Sequence, residues 1–305
     1  MEVSDIDNQN IIGSLLINDE KDFIIIPQNI INNSRIDNKC VAAYIFFWIW
    51  SGRNKRVMFT IESLVSWSGY IPDHKKGRID EQFEKTISWL RDIGYVTYPD
   101  LNNVKQPYTT LLTADLHSDW YKSMTDANYF AMVYLDEINK IMNYNCGNKS
   151  KTLTNANILA VFTYLRLRIP IRNAAEGESK ERRTNTPEVF YSYYKDISEE
   201  LGISEKTLST ILRILSKELD LIYIQRIKRK NTKDKDGTTK WITLPTLFCN
   251  TYKRLRGKLI YNGSDYYNYE IQNKLKKINF ASIEKVNTKT EDSETDIDIK
   301  WLDNI

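Results

Sequence analysis

The 305 residues predict an α+β chain, mostly helical, in which one order of elements is used twice. Three observations lead there. Apolar residues recur at steps of three and four between short β-like runs, small hydroxyl residues and glycines punctuate both halves at similar places, and a polar stretch without periodicity, residues 144–153, separates the halves. The predicted organisation is a flexible N-terminus over 1–20, a first domain over 21–145, a second over 150–260, a helical extension over 261–286 and an acidic tail over 287–305 expected to lack fixed structure.

In chain order, Phe23 to Ile26 is a β-like run stopped by Pro27, and Asn38 to Trp50 is an apolar helix. The eleven apolar residues Cys40 to Trp50 fall short of the roughly 20 that a membrane helix needs, so this is a buried core helix. Val57 to Phe59 is a short strand. Thr60 caps a helix with Ile61, Leu64, Val65 and Trp67 on its apolar faces, ending at Gly69. After a connector over 70–77, Ile79, Phe83, Ile87, Leu90 and Ile93 mark a longer amphipathic helix closed by Gly94. Tyr95 to Thr97 and Thr109 to Thr113 are the two strands of a hairpin whose turn spans 98–108. A strand, Tyr129 to Tyr134, and a helix, Leu135 to Asn143, complete the first domain.

The second half starts with an apolar helix, Asn155 to Ile169, stopped by Pro170. A polar insertion of mixed charge, Arg172 to Pro187, is expected to be a mobile loop. Phe190 and Tyr191 form a short strand. Ser192 to Leu201 is a helix with Tyr193, Ile197 and Leu201 on one face, ended by Gly202. Ser204 caps a helix of about sixteen residues whose buried positions are Leu208, Ile211, Leu212, Leu215 and Leu219. Leu221 to Gln225 is a strand, 226–240 a polar excursion, and Trp241 to Leu244 its partner strand.

The segment from Asp196 to Leu215 resembles the helix-turn-helix of bacterial winged-helix proteins. Ile197 and Leu201 bury the second helix, Gly202 permits the tight turn, Ile203 plugs the corner, and Ser204 caps the helix that would enter the major groove. Ser204, Lys206, Thr207, Ser209, Thr210, Arg213 and Lys217 are the candidate DNA-contacting residues there, because they are types that bond base edges or phosphates. The chain carries 43 Lys and Arg against 40 Asp and Glu, a formal net charge of +3, so any basic surface must come from uneven distribution. The hairpin after the helix pair supplies it. Arg226, Lys228, Arg229, Lys230, Lys233, Lys235 and Lys240 oppose only Asp234 and Asp236, a ribbon suited to phosphates or the minor groove. The corresponding helix of the first domain instead carries Asp80, Glu81 and Glu84, which would repel phosphates. That domain is therefore expected to make protein contacts, including a homodimer.

Two such domains in tandem resemble the replication initiators of bacterial plasmids and the replisome-organiser proteins of phages and other mobile elements. The resemblance implies a non-catalytic, sequence-specific binder of double-stranded DNA in the cytoplasm that grips origin repeats and recruits replication machinery. The acidic tail, ending near Trp301 and Leu302, would serve as a partner motif for a replisome protein. A winged-helix transcription regulator and an interaction module that never touches DNA are the alternatives. Cys40, Cys146 and Cys249 lack metal-binding spacing, and His74 and His117, the only histidines, sit in polar surroundings as surface or turn residues. The sequence has no phosphate loop or nucleophile elbow, so neither a cofactor nor an enzymatic activity is expected, nor a membrane association.

Overall fold

A computed structural model describes residues 23–33, 38–51, 55–97, 108–117, 130–146, 153–169, 189–225, 227–230, 241–243, 245–255, 258–261, 283–285 and 297–299. The fold is α+β, and the chain forms two compact units: residues 1–167 with 200–202, and residues 168–199 with 203–305. The division falls at the last residue of the helix at 155–168, and not in the polar stretch 144–153 where the composition changes. That helix is buried from Asn155 to Arg166 and packs with the first unit.

In the first unit, β1 (Phe23–Pro27) leads into α1 (Gln28–Asn33) and α2 (Lys39–Ser51). Residues Cys40 to Phe47 of α2 are all buried, as a helix apolar on every side must be. Then come β2 (Arg56–Phe59), α3 (Ile61–Trp67), α4 (Ile79–Asp92), β3 (Val96–Thr97) and β4 (Leu112–Leu116). Thr60 closes a capping box on α3, its hydroxyl accepting from the Ser63 amide at 2.9 Å while Ser63 Oγ accepts from the Thr60 amide at 3.0 Å. The sheet order is β2–β4–β3. Arg56 faces Asp115 across β2 and β4 and grips it with two hydrogen bonds, 2.6 and 3.2 Å.

The β4 strand lies three residues beyond the predicted 109–113. Thr109 and Thr110 favour a strand by type, but register is set by burial, with Leu112 opposite Phe59 and Ala114 opposite Val57. A strand β5 (Phe130–Tyr134) precedes α5 (Leu135–Met142) and α6 (Asn155–Arg168). β5 pairs antiparallel with β1, a contact across a hundred residues that no local pattern announces. The hairpin turn at 98–107 and the insertion at 172–187 lie outside the described residues.

In the second unit, β6 (Val189–Ser192), α7 (Tyr194–Leu201, its last two residues grouped with the first unit), α8 (Glu205–Arg213) and β7 (Ile222–Gln225) follow in order. A hairpin of β8 (Ile227–Lys230) and β9 (Trp241–Thr243) follows, then β10 (Thr246–Asn250). The sheet order is β6–β10–β7. Both units thus place the last strand of the helix–helix–strand–strand run in the middle of three. The partner of β7 is β10, not the predicted 241–244. Thr246 to Asn250 is buried at every position, as a central strand should be, whereas Trp241–Thr243 pairs with the basic run. Phe248 anchors the sheet, with the Phe190 ring at 6.0 Å and the Tyr194 ring at 6.2 Å.

A second hairpin, β11 (Tyr252–Leu255) and β12 (Lys258–Tyr261), follows. The described residues of the expected helical extension, Tyr261 in β12 and Ile283–Lys285 in β13, are strand. Residues Ile297–Ile299 of the acidic tail form β14 between β13 and β8. The flexible stretch expected over 1–20 and the remaining tail, including Trp301 and Leu302, lie outside the described residues.

Candidate nucleic-acid interface

The α7–α8 turn follows from three residues. Gly202 takes φ +64°, in the left-handed region where a side chain is strained, and the Ile203 amide donates to the Ser198 carbonyl at 3.1 Å. Ser204 then caps α8, its hydroxyl accepting from the Thr207 amide at 3.1 Å. The same device ends α3, where Gly69 has φ +80° and the Tyr70 amide reaches the Val65 carbonyl at 3.1 Å. There the connector runs over 70–78 before the next helix begins, whereas between α7 and α8 only Gly202, Ile203 and Ser204 intervene.

Ile197 and Leu201 are buried as predicted, and Leu208, Ile211, Leu212 and Leu215 form the inner face of α8. Ile203 is half-buried. Tyr193 departs from the expectation: it precedes α7 and is 42% exposed, because the helix starts at Tyr194, whose ring packs on Phe248 instead. The predicted sixteen-residue helix also changes form. After Arg213 it widens into a π turn, Ile214–Glu218, which keeps both Ile214 and Leu215 buried and leaves Leu219 half-buried.

The outer face of α8 is narrower than its composition implies. Lys206, Arg213 and Lys217 are exposed, at spacings of seven and four that put them along one side of the helix. Ser209 and Thr210 are half-buried, and the Thr210 hydroxyl donates back to the Lys206 carbonyl at 3.0 Å. Ser204 and Thr207 spend their hydroxyls on the cap, 2.9 Å from one another. Arg213 is not solitary: its Nη1 donates to Glu218 Oε1 at 2.6 Å. Of the basic hairpin, Lys228, Arg229 and Lys230 lie in β8, opposite Thr243, Ile242 and Trp241. Arg226, Lys233, Lys235 and Lys240 lie outside the described residues.

The corresponding helix of the first unit, α4, presents a different face. Asp80, expected at the surface, is fully buried and accepts from the Asp73 amide at 2.5 Å, holding the connector against the helix. Burial pushes its carboxyl up, and the amide bond partly offsets this. Glu81 accepts from the Gly77 amide at 2.5 Å and pairs with Lys85 at 2.9 Å. Glu84 lines a groove of about 450 Å³ with Lys76, Trp89, Asp92 and Tyr108, and its carboxyl is pushed up by burial and by Glu81. His74 and His117 are both exposed, His74 beside the Tyr108 ring and His117 bonded to Thr97.

Among the described residues, no helix is long and apolar enough to cross a membrane, and no three metal-ligating side chains are grouped. No protein-family model, curated protein or solved structure matches the chain.

Proposed function

We propose that both units are winged helices and that the second reads double-stranded DNA with α8 in the major groove, its β8–β9 hairpin acting as a wing along the backbone. One observation carries this reading. A tight glycine turn presents a capped helix that exposes Lys206 and Arg213, with Lys217 just beyond, beside Glu205 and Glu218, and it is followed in sequence by a hairpin of seven basic and two acidic residues in a chain of net charge +3. Lys206, Arg213 and Lys217 are the principal contacts from the helix. Lys228, Arg229 and Lys230, together with Arg226, Lys233, Lys235 and Lys240, supply the phosphate contacts.

The chain is then a non-catalytic replication initiator of a plasmid or phage, gripping origin repeats and recruiting replication proteins. Its first unit makes protein contacts, a homodimer among them. The carboxylates on the outer side of α4 support that division, since they would face phosphates unfavourably.

Fluorescence anisotropy on duplexes tiling the protein's own locus, titrated with salt, tests the reading. One repeat-bearing duplex is expected to bind tightly, and replacing Lys206 and Lys217 with Ala should each flatten the log–log salt slope by about one. Uniformly weak binding to every duplex rejects it.

A further inference from the structure

Arg213 and Glu218 are five residues apart, a spacing that a regular α-helix carries about 140° around its axis, away from contact. The π turn over 214–218 removes that separation and brings Glu218 Oε1 to 2.6 Å from Arg213 Nη1. The pair lies at the protein surface beside Lys217, the Arg213 side chain 61% and that of Glu218 33% exposed. A guanidinium tied at one terminal nitrogen keeps the other edge of its fork, Nε and Nη2, in a fixed direction. That edge matches the O6 and N7 acceptors of guanine in the major groove.

Resting on the reading of α8 as a DNA-reading helix, we infer that Glu218 is a positioning residue that pre-orients Arg213 for guanine, so that specificity is set partly by a carboxylate that touches no base. A carboxylate on a DNA-facing helix costs general affinity through phosphate repulsion. Its gain is discrimination, because an Arg without the anchor swings freely among phosphates and bases alike. The opposite effects of Glu218 on affinity and on specificity are what separate this role from a purely structural one.

The test uses the full chain and a random duplex library, followed by anisotropy on the selected and a scrambled duplex at one salt concentration. The wild type should enrich a sequence with a required G·C pair, and Arg213→Ala should lose that requirement. Glu218→Ala should bind the scrambled duplex at least as tightly as wild type while its selected-to-scrambled ratio falls about tenfold, within the range one bidentate base contact supplies. Glu218→Gln, whose amide oxygen still accepts from Nη1, should fall between. Urea midpoints of the variants confirm that each is folded. If Glu218→Ala keeps the ratio and the G·C requirement while Arg213→Ala loses them, or if it strengthens both duplexes equally, the positioning role is wrong and the DNA reading stands. If the wild type enriches nothing, the DNA reading fails and this inference with it.

Discussion

Gly69 and Gly77 show how one backbone conformation acquires different importance. Both sit at left-handed φ, +80° and +74°, yet a Cβ on Gly69 would collide with the Asn155 carboxamide and amide, while one on Gly77 would meet nothing within 4 Å. Gly69→Ala therefore adds a clash to the intrinsic strain of about 1–2 kcal/mol, and Gly77→Ala carries the strain alone. In urea denaturation Gly69→Ala should lose clearly more stability than Gly77→Ala, and equal losses would show that the α6 terminus yields freely. Asn155 itself leaves little slack, since its Nδ2 donates to the carbonyls of Ile141, Tyr144 and Met142 at 2.7, 3.0 and 3.3 Å. Its neighbour Cys146 is half-buried, with a thiol pushed up to about 11 by burial. At pH 8 that thiol stays protonated, and Cys40 and Cys249 are buried, so alkylation of the native protein by iodoacetamide should be slow at all three by mass spectrometry.

α6 is the element whose placement the sequence pattern least explains. It is buried along twelve consecutive residues and carries Asn155, Asn157, Thr163 and Arg166 into that environment. Each is paired: Asn157 accepts from Asn38 at 3.1 Å, Thr163 donates to the Leu159 carbonyl at 2.9 Å, and Arg166 joins Glu137 of α5 while stacking over Phe162. Glu137 also accepts from the Tyr134 amide at the start of α5, so one carboxylate caps a helix and ties it to another. Removing only one charge strands the other in a buried site. Arg166→Met should cost about 3–5 kcal/mol, and Arg166→Met with Glu137→Gln should recover most of it. Chemical denaturation of the three variants measures this; a double variant no more stable than Arg166→Met would show that the guanidinium matters for packing and not for charge.

For the whole molecule, the same sheet order in both units, with α3 and α7 ended by the same glycine motif, gives one plan two outer faces. On α8 and the turn after it the face exposes Lys206, Arg213 and Lys217 with two carboxylates, Glu205 and the Arg213-bound Glu218. On α4 it is a groove where Glu81, Glu84 and Asp92 meet Trp89 and Tyr108, with Lys76 and Lys85 at the same site. The proposed division of labour rests on that contrast, because a shared scaffold says nothing about which face meets nucleic acid. The salt dependence described above is the property of the whole chain that this contrast predicts.

Local chemistry was enough to specify most elements. Thr60 and Ser204 announce helix starts, Gly69, Gly94 and Gly202 helix ends, and the spacing of Phe83, Ile87 and Leu90 or of Leu208, Ile211 and Leu212 fixes which side of a helix is buried. The candidate α8 residues were legible for the same reason. Tertiary structure decided the rest. The β1–β5 pairing, the three-residue offset of β4 and the assignment of α6 to the first unit depend on partners distant in sequence, which a local window does not contain. So do the burial of Asp80 and the withdrawal of Ser209 and Thr210 from the solvent face. The Arg213–Glu218 contact belongs with these: residue types made both visible, but only a π turn imposed by burying Ile214 together with Leu215 puts them side by side.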